Sequence, residues 1–154
     1  MLTIIDKLKQ IAVFTPEYER KNNTSKGDDR IIHLLTVYPY ISPYKHYLNF
    51  LECFGGAHIK SSDFSLGIYG FEGVVVSALE EGDALDLDRY FIFGEVLYYK
   101  PINDSFIFAF DIKTEKDAIF ICSKNDFKYH LCRPSFNDFL LSFTDKDYPM
   151  IDDR

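Results

Sequence analysis

Between Ser42 and Gly56 the chain reads Ser-Pro-Tyr-Lys-His-Tyr-Leu-Asn-Phe-Leu-Glu-Cys-Phe-Gly-Gly, which spells out the start, the buried face and the stop of one helix. A serine hydroxyl at Ser42 can accept a hydrogen bond from an unpaired N–H of the first turn. Pro43 suits the first helical position, where its missing N–H costs nothing. Tyr44, Tyr47, Leu48, Leu51 and Phe54 recur at helical spacing along one side, with Lys45, Asn49 and Glu52 on another. The Gly55-Gly56 pair supplies the left-handed residue that closes a helix. A helix half buried in this way walls a core and is no catalytic loop.

The core it joins is aromatic. A chain of 154 residues that is 47% hydrophobic, with 15 phenylalanines, 11 tyrosines and no tryptophan, is long enough for one core and too short for two. Residues 1–144 are therefore expected to form a single domain, and the polar tail 145–154 to fray. Each buried ring removes roughly 150–250 Å² from water, while tyrosines left outside suit a recognition surface.

A net charge of −7 and an isoelectric point near 5.0 argue against a surface that grips phosphate backbones, so no direct nucleic-acid partner is expected. Opposite potentials steer encounter, and a basic protein is the better candidate partner. Cys53, Cys122 and Cys132 are too few and too unevenly spaced for a disulfide framework. With no long apolar run and no secretory leader pattern, the expectation is a cytoplasmic protein with no membrane partner.

Ile4, Ile5, Leu8, Ile11 and Ala12 predict an opening amphipathic helix that Pro16 ends. Asp28 or Asp29 can cap a short second helix through Ile31, Ile32, Leu34 and Leu35, with a strand as the alternative. After the glycine pair the pattern changes. Short aromatic or branched runs predict strands over 64–69, 74–77, 90–99, 105–112, 118–123 and 127–132. Their short connections favour antiparallel neighbours. Ser135 then leads into the helical stripe Phe136, Phe139, Leu140 and Phe143. Helices first and strands later predict an α+β fold, with a mainly antiparallel sheet of about five or six strands closed by a C-terminal helix.

No cluster carries a catalytic signature. Cys53 with His58, and Cys122 with His130 and Cys132, lack the paired spacings of a zinc site, so no metal and no cofactor are expected. No nucleophile elbow is present. Gly67, Gly70 and Gly73 open no helix and are taken as turn and bulge glycines rather than a phosphate cradle. The segment 79–89 gathers Glu80, Glu81, Asp83, Asp86 and Asp88 around Gly82. It lacks the order of a calcium loop and is expected to be exposed.

Taken in order, Pro43, Tyr44, Tyr47, Phe50, Leu51, Gly55 and Gly56, then Phe93-Gly94, Phe110-Asp111, and finally Ser135, Phe136, Phe139 and Leu140, resemble the SMI1/KNR4 family, also called the SUKH superfamily. Ser42 stands where a leucine often precedes the helix proline, and Glu95-Val96 follows Phe93-Gly94 in place of further glycines. The resemblance implies an α+β fold and, in bacteria, a cytoplasmic immunity protein that neutralises a polymorphic toxin, often a nuclease, by direct binding. Fungal relatives are regulatory interaction proteins. Both are binders and not enzymes.

The expectation is thus a non-enzymatic protein-binding domain whose partner is a basic toxin domain. Glu80, Glu81, Asp83, Asp86 and Asp88 would steer the encounter, and Tyr98 and Tyr99 would serve as anchors. Strand alternation points one of those two tyrosines outward. The alternatives are a regulatory scaffold of the same type, or a small-molecule-binding protein with a pocket between the sheet and the terminal helix.

Overall fold

Helix α1 (Leu2–Ile11) passes almost directly into a strand, β1 (Val13–Pro16), so Pro16 ends a strand and not the helix. The computed structural model describes residues 2–18, 26–70, 86–100, 102–114 and 116–151. Helix α2 (Lys26–Val37) begins upstream of Asp28 and Asp29, and the helical alternative holds over the strand. A 3₁₀ turn (Pro39–Ile41) precedes α3 (Lys45–Phe54). Six strands follow: β2 (Ala57–Lys60), β3 (Phe64–Ile68), β4 (Tyr90–Tyr98), β5 (Asp104–Asp111), β6 (Ile119–Ser123) and β7 (Tyr129–Arg133). Helix α4 (Phe136–Thr144) comes last.

The Ser42-Pro43 start signal is displaced. Ser42 closes the 3₁₀ turn, its N–H donating to the Pro39 carbonyl at 3.3 Å, and α3 starts two residues later behind Tyr44 with no side-chain cap. The stop is where the glycine pair puts it: Gly55 has φ +77° and its N–H donates to the Leu51 carbonyl at 2.7 Å. Ser135 caps α4, accepting from the Asp138 N–H at 3.1 Å while its hydroxyl donates to the Asp138 carboxylate at 2.8 Å.

The fold is α+β, built on one seven-stranded antiparallel sheet in the order β1-β2-β3-β4-β5-β6-β7. Every strand pairs with its sequence neighbour, across short connections from β4 to β7 and between β2 and β3, and across long ones between β1 and β2 and between β3 and β4. The count exceeds the expected five or six because of β1 and β2, which are only four residues long. The strand expected over 74–77 lies outside the described residues.

The four helices among the described residues cover one face of the sheet. Ile5 and Leu8 of α1, Leu34 of α2, Tyr47 and Leu51 of α3, and Phe136 and Phe139 of α4 share one buried cluster with the inward residues of β2 to β6. Phe93 sits at its centre, with ring centroids of Phe108, Phe110, Phe136, Phe139 and Tyr47 between 4.8 and 6.3 Å away. Opposite this lies a smaller cluster on the outer face, Ile92, Ile107, Ala109 and Cys122, to which no described helical residue contributes.

A bulge divides β4. Ile92 pairs with Ala109 and Gly94 with Phe108, leaving Phe93 as the extra residue. Inward side chains are therefore odd-numbered before it (Phe91, Phe93) and even-numbered after it (Val96, Tyr98). Within the tail expected to fray, Tyr148, Met150 and Ile151 pack on the core, and the Tyr98 hydroxyl donates to the Pro149 carbonyl at 2.6 Å; residues 152–154 lie outside the described residues.

Candidate interaction site

The bulge decides which tyrosine faces out. Tyr98 is fully buried, so it is withdrawn as an anchor, whereas Tyr99 is 42% exposed at the β4–β5 turn. Of the acidic residues, Glu80, Glu81 and Asp83 lie outside the described residues. Asp86 and Asp88 are exposed on the turn that leads into β4. The acidic turn and Tyr99 thus occupy opposite ends of a nine-residue strand, roughly 27 Å apart, and do not form one patch.

Different tyrosines stand beside the acids. Tyr90 stacks on Tyr129 with centroids 3.6 Å apart and planes 10° from parallel, and the Arg89 guanidinium lies 5.3 Å above the Tyr90 ring. Burial raises the Tyr90 phenol above its ordinary range; Arg89 opposes the shift, and Asp111 and Asp86 add to it. On the helical side, Tyr40 is partly exposed and packs edge-on against Tyr38 and Phe91. Its phenol is raised by burial, with further contributions from Tyr38 and Asp88. Asp88 is thus in electrostatic reach of Tyr40 on the helical side, and Asp86 of Tyr90 on the outer side. Sequence spacing hides this because Tyr40 arrives from the 3₁₀ turn, far away in the chain.

No protein-family model matches this chain, and no curated protein matches it.

Further along the outer face, register brings together side chains from five segments. His58 pairs with Gly67 and Gly67 with Glu95, so the three form one row across β2, β3 and β4. Ser65, Leu97 and Ser105 form the next row. With Lys124 they line an open cavity of about 340 Å³. His58 Nε2 and Ser65 Oγ lie 2.7 Å apart in a hydrogen bond whose direction follows the imidazole tautomer. The Lys124 ammonium donates to Glu95 Oε2 at 3.0 Å. Lys60, opposite Ser65, is exposed nearby.

The His58–Ser65 distance suits a base and a nucleophile, but the surroundings do not suit acyl transfer. Strand β3 pairs with β2 on one edge and β4 on the other, so its backbone N–H groups are spent in the ladders and none is free to stabilise an oxyanion beside Ser65. The cysteine sets are separated too. Cys53 packs toward the helical core while His58 lies on the outer face, and Cys122 belongs to the outer cluster while Cys132 packs on the inner one. Burial pushes the Cys132 thiol up to about 11. Among the described residues no group of three histidine, cysteine or acidic side chains could hold a metal ion, and no helix is long and apolar enough to cross a membrane.

Proposed function

We propose that this chain is a non-enzymatic protein-binding domain of the SMI1/KNR4 type, acting in the cytoplasm as an immunity protein that binds and neutralises a basic toxin domain. The observation that carries the reading is the acidic turn, where Asp86 and Asp88 are exposed at the start of β4, with Asp88 in electrostatic reach of Tyr40 on the helical side and Asp86 of Tyr90 on the outer side. Such a surface joins long-range attraction for a cationic partner to amphipathic contact area that loses little entropy on binding. The α+β architecture and the net charge of −7 agree with it.

The test is to express the chain with an affinity handle together with its neighbouring genes and to identify what co-purifies. A stoichiometric basic domain supports the reading. Reversal of Asp86 and Asp88 to lysine should then slow association at low salt by about tenfold. An unchanged rate removes the turn from the interface, and a chain that comes away alone from folded neighbours favours the regulatory alternative.

A further inference from the structure

The geometry points to the space above Gly67 as a slot for one guanidinium group, an arginine side chain presented by the partner. This deepens the reading of a basic protein partner and rests on it. Gly67 leaves a gap in the middle of a row, because a Cβ built there would meet no atom within 4 Å. The gap is bounded by His58 on one side and Glu95 on the other, one strand away in each direction, so the walls stand roughly 9–10 Å apart. That width admits a flat cation, which can lie over glycine backbone where a tetrahedral ammonium gains no face-to-face contact.

The polar partners are suitably placed. Among the described residues Glu95 is the only carboxylate lining the cavity, and Lys124 engages its Oε2. No other hydrogen bond of Glu95 is found among the described residues, which leaves Oε1 to accept from a guanidinium N–H. Leu97, 40% exposed in the next row, offers apolar surface to the methylene stem. The His58 ring is fixed by Ser65 and presents a planar wall. Lys124 and the exposed Lys60 opposite Ser65 offset the Glu95 charge locally, so the slot selects its occupant by planar shape and by the open Oε1 and not by an acidic face. Lys124 is the built-in competitor: its pair with Glu95 is half exposed and weak enough to yield.

The probe is N-acetyl-arginine N-methylamide, titrated into the full chain and followed by the amide NMR spectrum, with the citrulline and lysine analogues as comparators. Shifts should centre on Gly67 and Glu95. Citrulline, which keeps the shape and lacks the charge, should bind at least about tenfold more weakly, as should E95Q with the arginine probe. K124M should tighten binding by about two- to threefold, an effect no purely structural role of Lys124 would produce. G67V fills the slot with a residue that suits a strand, so it should fold as the parent does and lose the shifts. Equal binding of citrulline, an unaltered E95Q titration or shifts centred elsewhere overturns the slot. If the parent captures a protein partner and both E95Q and G67V capture it equally, the slot falls and the immunity reading stands. Shifts at the slot without any captured partner uphold the slot and leave the immunity reading to fall alone.

Discussion

Arg89 holds Asp111 in a fork, Nη2 donating to Oδ2 at 3.0 Å and Nε at 3.3 Å, and so ties the acidic turn to the end of β5. Asp111 is almost fully buried, and its Oδ1 also accepts the Lys113 N–H at 3.1 Å. The bond to Asp111 raises the Arg89 pKa further above its ordinary value. Removing the guanidinium leaves a buried carboxylate without its cation, which costs more than removing both charges. R89A should therefore lower the melting temperature more than the R89A/D111N double variant. A double variant as unstable as R89A would show that the unpaired Asp111 carboxylate carries no penalty.

Phe93 is the second test, because five aromatic rings surround it and none of its surface is exposed. F93A should cost about 3–5 kcal/mol in urea unfolding, the sum of lost transfer energy and a cavity that rigid neighbours fill only in part. F93L should cost less.

Two glycines should respond in opposite ways. Gly55 has φ +77°, and a Cβ there would come within 2.6 Å of the Tyr18 ring, so G55A should lose about 1–3 kcal/mol. Gly67 sits in a strand with open space above it, and G67A should gain up to about 1 kcal/mol by restricting the unfolded chain. Denaturant midpoints of the two variants measure both effects.

Stability should fall steeply in alkali. Tyr148 is pushed up to about 12 by burial and by its hydrogen bond to Asp63 at 2.8 Å, and burial drives Tyr47 and Tyr98 higher still. Unfolded phenols lose their protons near pH 10, so above that value the folded state binds more protons than the unfolded one. The stabilisation is fully present below about pH 10 and is lost as pH rises toward about 12. Urea midpoints across this window should drop, and Y148F should drop less.

Cys132 should be a sluggish thiol. With its pKa at about 11, its thiolate fraction at neutral pH is on the order of 100-fold below that of a free cysteine, and it should alkylate correspondingly slowly. Peptide-resolved labelling with iodoacetamide checks this; labelling at the rate of free cysteine would contradict it.

Local chemistry was enough to mark the buried face of α3, its stop at Gly55, the apolar stripe of α4 after Ser135 and the five strands β3 to β7, because each is written in adjacent residues. β1 and β2 were not legible. Val-Phe-Thr-Pro and Ala-His-Ile-Lys are too short to show a period, and they are strands only because each finds a partner, β2 holding β1 on one edge and β3 on the other. The Ser42-Pro43 start signal was locally sound, yet the chain used it to close a 3₁₀ turn ahead of the helix. Whether Tyr98 or Tyr99 faces out depends on the bulge at Phe93, which is a property of pairing with β5 and not of β4 alone. The slot above Gly67 was equally out of reach. His58, Gly67, Glu95 and Lys124 come from four separate segments, and their meeting on one face is set by strand register, which only the folded sheet determines.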